Sequence, residues 1–131
     1  MISIALAMAL APTTDAKATC GSEMAAATAW VSLLDAGRWN ESWASAGTLF
    51  QSRMAEPSWA PAIQPVRDPL GAVSSRSMLS VASTTSLPGA PDGHYQVVQF
   101  KTSFANKKDA TETVVLACEP AGWKVDGYFI R

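Results

Sequence analysis

Four side chains in the second two-thirds of the chain pair a polar head with an apolar setting: Arg67, Arg76, Glu112 and Tyr128. A carboxylate and a guanidinium withdrawn from water must find each other, because an isolated buried charge is costly. Arg76 shares its alternation with Met78 and Ala82, and Glu112 shares its own with Val114 and Leu116. Either can therefore point between a sheet and the elements that cover it, and the two are placed to pair. Arg67 adjoins an apolar helical stripe and reaches the same region, while Tyr128 offers a hydroxyl on an otherwise apolar wall. Such a set could hold a small ligand. It could also move a proton, if Glu112 stood as a buried carboxyl beside a hydrogen-bond donor. The plain alternative is a surface ion pair that contributes little, with Tyr128 as packing. Asp35 and Asp126 read as solvent-facing.

Other chemistries find no residues. The chain has one histidine and two cysteines, Cys20 and Cys118, far apart in sequence, so no clustered ligand set exists for zinc. His94 sits at a turn exit as a solvated side chain, no Gly-x-Ser-x-Gly elbow is present, and no glycine loop is built to cradle phosphate. No catalytic, cofactor-binding or metal-ligating residue is assigned. Ten Lys and Arg residues are scattered and offset by eleven acids, which excludes a nucleic-acid stripe. The pair Lys107-Lys108 reads as a solvated loop, and Asn40-Glu41-Ser42 as a chance glycosylation match between two core tryptophans.

The elements that must position these groups follow from periodicity. Ala26, Ala29, Trp30, Leu33 and Leu34 recur at helical spacing, predicting a helix over Glu23 to Asp35 with Ser22 at its N-cap. Trp39, Trp43, Ala46, Leu49 and Phe50 predict a second. A third carries Trp59, Ile63, Val66 and Leu70 on one face and Pro57, Pro61, Pro65 and Pro69 on the opposite, outward one, so a kinked or broken helix ending at Pro69-Leu70-Gly71 is expected. Beyond Gly71 the period changes to two. A serine-rich first strand leads through Leu87-Pro88-Gly89-Ala90-Pro91-Asp92-Gly93 into a second, with Val98, Phe100 and Phe104 on one face and Tyr95 and Val97 on the other. Thr111 to Cys118 forms the third strand after a polar turn at Ala105 to Asp109. The fourth alternates Trp123, Val125 and Phe129 with Lys124, Asp126, Tyr128 and Ile130, and Gly127 marks a bulge. About three helices then cover one face of a curved, four-stranded antiparallel meander, an α+β domain. Both parities of the last three strands carry apolar residues, so a second subunit is expected on the other face, giving a homodimer through the sheet.

Met1 to Ala11 is uncharged and nearly all apolar, and Ala16-Lys17-Ala18 offers a small-x-small cleavage site. Residues 1–18 read as a signal peptide and 19–131 as a single domain, periplasmic or secreted, with no transmembrane segment in the mature chain. No basic residue precedes the apolar run, a departure from the usual pattern. Cys20 and Cys118 would pair in an oxidising compartment, against the alternative of a buried free Cys118.

Several stretches in order resemble a bacterial family, domain of unknown function 4019. They are Trp30, Leu34-Asp35-Ala36-Gly37, Ser42-Trp43, Trp59, Arg67-Asp68-Pro69-Leu70-Gly71, Ser75-Arg76, the Leu87 to Gly93 turn, Phe104-Ala105-Asn106-Lys107, Glu112-Thr113-Val114 and Gly127-Tyr128-Phe129-Ile130. The resemblance implies a small exported domain with a nuclear-transport-factor-two-like or cystatin-like build, and it implies no activity. Pro61, Pro65 and the cysteine pair depart from the family pattern. The resulting expectation is a non-catalytic module binding an unknown small ligand or protein. The alternative is a small cavity enzyme of the ketosteroid-isomerase type, which needs a buried carboxylate base that only Glu112 is placed to supply.

Overall fold

The computed structural model describes residues 20–131, and the expected signal peptide lies outside them. Helix α1 (Glu23–Asp35) starts where the Ser22 hydroxyl accepts the Ala25 N–H at 3.1 Å and buries Ala27, Trp30, Val31 and Leu34. The single second helix expected from Trp39 to Phe50 is two: α2 (Trp39–Ala44) and α3 (Thr48–Arg53). Gly47 divides them because its N–H turns away from the helical ladder and donates to the Val125 carbonyl of the sheet at 2.7 Å. Four α-helices therefore precede the strands, among the described residues, rather than about three.

Helix α4 (Glu56–Arg67) runs unbroken through Pro61 and Pro65 and closes in a 3-10 turn at Asp68–Leu70. Pro57 occupies the first turn, where no backbone N–H is needed, and Pro61 and Pro65 lie on the exposed face, where water can take the freed carbonyls. The expected outward prolines are found, without the break. The buried face differs too: Trp59 and Ile63 point inward, but Val66 is 42 % exposed and Arg67 takes the inner place. Gly71, at φ +78°, ends the segment with a turn that other residues resist.

Strands β1 (Val73–Thr84), β2 (Tyr95–Phe104), β3 (Lys107–Glu119) and β4 (Gly122–Ile130) form one antiparallel sheet in the order β1-β2-β3-β4. The fold is the expected α+β meander under helices. The turn before β3 is tighter than expected, since Lys107 already pairs with Phe104. Two bulges decide which side chains face the helices. In β1, Arg76 pairs with Thr102 and Val81 with Val98, and the intervening shift at Leu79 puts both on the inner face despite opposite parity. In β4, Val125 pairs with Leu116 but Gly127 with Val115, so Asp126 is the extra residue. Tyr128 then turns inward and Phe129 outward, 62 % exposed, correcting its expected place beside Trp123 and Val125. The core between the layers holds Trp30, Phe50, Trp59, Val98, Phe100, Val114, Leu116, Trp123 and Val125.

Candidate functional site

Glu112 is the centre of the polar cluster and is fully enclosed. Its Oε1 accepts from Arg76 Nε at 2.8 Å and from Thr102 Oγ1 at 2.5 Å, and its Oε2 accepts from the Tyr128 hydroxyl and lies 3.8 Å from Arg67 Nη1. Asp35, at the end of α1, closes the ring. Its Oδ1 accepts from Arg67 Nη2 at 2.6 Å and Arg76 Nη2 at 2.9 Å, and its Oδ2 from Arg76 Nη1 at 2.7 Å. Two arginines thus meet two carboxylates, and each guanidinium also lies near an aromatic ring: Arg67 is 5.0 Å from the centre of Phe104, and Arg76 is 5.9 Å from Phe100.

Each member arrives by a different route. Glu112 alternates with Ala110 and Val114 on the inner face of β3, Thr102 stands beside it on β2, and Arg76 and Tyr128 are brought in by the two bulges. Arg67, only 5 % exposed, descends from the end of α4, one turn after Ile63. Four residues picked out from the sequence, Arg67, Arg76, Glu112 and Tyr128, come together. Asp35 is exposed, as expected, and its carboxylate also joins the cluster, because two guanidinium groups bind it. Thr102 was not picked out. Its signal was parity with Phe100 and Phe104, a polar residue within an apolar stripe. Ser42 was passed over likewise: it is fully buried and takes the indole N–H of Trp30 on its carbonyl at 2.8 Å and that of Trp59 on its hydroxyl at 2.9 Å.

The electrostatics follow from these contacts. Burial alone would raise the Asp35 carboxyl, but hydrogen bonds from Arg76 and Arg67 and their charges outweigh it and hold the group below its ordinary value. Burial works against the Arg76 cation, yet its bonds to Asp35 and Glu112 raise its pKa well above normal. The Tyr128 phenol is pushed far up, first by burial and then by the Glu112 charge beside it. The ring is therefore charge-balanced, with both Glu112 oxygens accepting bonds, while the buried Arg67 Nε has no hydrogen-bond partner among the described residues and Asp35 remains exposed. A general base must reach a substrate proton with a free lone pair; Glu112 has no exposed surface and lines none of the cavities described below.

At the rim of the cluster, a depression of about 390 Å³ is walled by Asp35 and Arg67 of the ring together with Leu34, Trp39, Asp68 and Gly71. A groove of about 220 Å³ runs between the Leu87-Pro88 loop and the outer sheet face, lined by Leu49, Tyr95, Val115, Asp126 and Phe129. Asp126 is not solvent-facing as expected: displaced by the bulge, it turns to α3 and accepts the Phe50 N–H at 3.2 Å. Burial and then the nearby Glu119 charge raise its carboxyl against the pull of those backbone bonds. His94 is exposed at the turn. Cys20 and Cys118 are joined as a disulfide with Cα atoms 5.9 Å apart. Among the described residues no group of His, Cys, Asp and Glu could hold a metal ion, and no helix is long and apolar enough to cross a membrane.

A helix-covered antiparallel meander with an internally neutralised ionic cluster defines a small α+β domain. The chain belongs to the family described as protein of unknown function DUF4019, whose profile matches residues 26–128. No curated protein and no solved structure matches it.

Proposed function

We propose that this is an exported, non-catalytic interaction domain that docks another protein on the outer face of its sheet. The observation that carries the reading is a division of labour between the two faces. Arg67, Arg76, Glu112 and Tyr128 are bound to one another on the inner face, whereas the outer face presents Ala82, Val97, Gln99, Thr113, Val115 and Phe129, an uncharged patch with one large exposed ring, flanked by Lys101 and Lys124. Export is supported by the apolar start, the Ala16-Lys17-Ala18 site and the pairing of the only two cysteines, a bond kept in oxidising compartments. The order of helices and strands is like that of nuclear-transport-factor-two-like and cystatin-like domains, and the family resemblance supports a bacterial periplasmic or secreted setting.

The test is site-specific photocrosslinking in the producing cells, with the crosslinker placed at Phe129 or, as a control, at Lys108. A discrete adduct at Phe129 that is lost with an added Val115→Lys change is expected. No adduct at Phe129, or the same adducts from Lys108, would overturn the reading.

One observation favours a second reading, a small cavity enzyme: Asp126, with its raised carboxyl, lines the outer groove beside Tyr95. That carboxylate also caps backbone N–H groups of α3, which ties it to structure. An activity screen against Asp126→Asn decides between the two, since a base lost to Asn abolishes turnover.

A further inference from the structure

The depression at the rim of the ionic ring lies where α1 ends at Asp35 and α4 ends at Arg67 and Asp68, with Trp39 of α2 as a wall. Its lining holds polar groups that the chain leaves without partners. Four of the five tryptophans place the indole N–H on a protein oxygen: Trp30 and Trp59 on Ser42, Trp43 on the Met54 carbonyl and Trp123 on the Gly21 carbonyl. Trp39, half-buried in the wall of the depression, has no such acceptor among the described residues. Arg67 Nε, on a side chain that is almost wholly buried, is a second donor without an acceptor among them. An enclosed N–H in this state is costly and uncommon in folded proteins. On the accepting side, Asp35 Oδ2 takes a single bond, from Arg76 Nη1. The exposed Asp68 carboxylate enters no ion pair among the described residues.

We propose that this depression binds a neutral saccharide, one pyranose ring of a free sugar or of a glycan chain. The lining selects the class. An anion drawn to Arg67 would stand between the Asp35 and Asp68 carboxylates, and Asp35 already holds that guanidinium through Nη2 at 2.6 Å. A cation would pair with the carboxylates and leave both N–H groups idle. A hydroxyl both donates and accepts. Neighbouring hydroxyls of a sugar therefore give bonds to Asp68 and Asp35 and take the Trp39 N–H, while a water bridges the buried Arg67 Nε to the ring. The apolar C–H face of the pyranose packs on Trp39 and Leu34. At about 390 Å³ the depression falls near the lower end of the ~300–1,000 Å³ of small-ligand sites, which suits a single ring. The ionic ring gains a role here. Its carboxylates hold the Nη groups of Arg67 in place, so the guanidinium is positioned before the sugar arrives.

Titration of the isotope-labelled, disulfide-bonded chain, followed by NMR at the indole N–H signals, tests this, with Trp39→Phe identifying the signal of Trp39. The probes are methyl glucoside, maltotriose and triacetylchitotriose, with choline and acetate as cationic and anionic controls. A saturable shift of the Trp39 signal with a Kd below about 10 mM is expected for at least one sugar, with the Trp30, Trp59 and Trp123 signals unmoved. Binding of the monosaccharide marks a free sugar, and a need for a trisaccharide marks a glycan; both support the proposal. Asp68→Ala should weaken binding at least ~10-fold, and Asp68→Asn, whose amide oxygen still accepts, should weaken it less. Circular dichroism confirms that the variants are folded. If Asp68→Ala is not, Trp39→Phe, followed at the Gly37 amide, carries the test and should be weakened likewise. No shift with any sugar up to about 100 mM would overturn the proposal. So would a shift shared by all the indoles, a response to acetate, or a response to choline that Asp68→Asn abolishes. Sugar binding here and crosslinking at Phe129 fail independently, since the two lie on different faces.

Discussion

Asp35 and Asp126 carry the same group in opposite settings, and their titrations should oppose each other. The folded Asp35 carboxyl lies below its ordinary 3.8 while the unfolded one does not, so the folded state binds fewer protons in that window. Its contribution is complete above 3.8 and is lost as pH falls through the folded value. Asp35→Asn should therefore cost about 1 kcal/mol at pH 7, a value set by the solvent screening of an exposed carboxylate, and its gap from the wild type should close as pH drops below about 3.8 in urea melts. For Asp126 the folded carboxyl is raised, so stability is present below 3.8 and declines as pH rises through the folded value. Asp126→Asn keeps an oxygen for the Phe50 N–H and should be as stable as the wild type, or more so, at pH 7, with no difference in acid. Parallel pH curves for the two variants would refute both assignments. Arg76 and Glu112 should be coupled. A double-mutant cycle is expected to give more than about 0.5 kcal/mol, because removing either partner leaves the other charge enclosed. Additive effects would mean the contact is electrostatically idle.

At the scale of elements, what the sequence made legible is what parity and spacing carry without interruption. Glu112 beside Val114 and Leu116, and the helix from Glu23 to Asp35, were readable because nothing breaks either period. Tyr128 was harder, since a bulge shifts alternation by one and the sequence marks it only by Gly127. The bulge at Leu79 has no glycine to announce it, and so Arg76 and Val81 looked opposed. In α4, hydrophobicity favoured Val66 as the next inner residue, but the pull of Asp35 and Glu112 on Arg67 sets the rotation of the helix about its axis. Gly47 parted α2 from α3 through a bond to a distant strand, which no local pattern encodes. The faces of α4 can be checked directly. Trp59→Ala removes a ring packed edge-on to Phe50 at 4.8 Å and a bond to Ser42, and should cost about 3 to 5 kcal/mol. Pro65→Ala, on the exposed face, restores a backbone N–H and should leave the melting temperature unchanged or raised. The reverse ranking would show the helix rotated from this position.

The whole molecule is closed by one covalent bond. Cys20 precedes α1 and Cys118 lies near the end of β3, 98 positions later, so the disulfide encloses all four helices and most of the sheet in one loop. The neighbouring contact of the Trp123 indole with the Gly21 carbonyl holds the same segment against β4, so the bond ties the entry to the first helix onto the sheet. In the chain-entropy picture a loop of this length restricts the unfolded ensemble by up to ~4.7 kcal/mol, and measured gains usually fall short of that. The folded layers do not depend on it for their core, since Trp30, Val31 and Leu34 of α1 are buried against the sheet by their own side chains. The Cys20→Ser/Cys118→Ser variant should therefore keep the native circular dichroism spectrum while its urea midpoint falls, and reduction of the wild type should produce the same fall. Thiol counting on denatured, unreduced protein from the producing cells should find no free thiol, with the mass of a monomer. Two free thiols, or a urea midpoint that reduction leaves in place, would remove the disulfide from this account and leave the start of α1 held by the Trp123 contact and by helix packing alone.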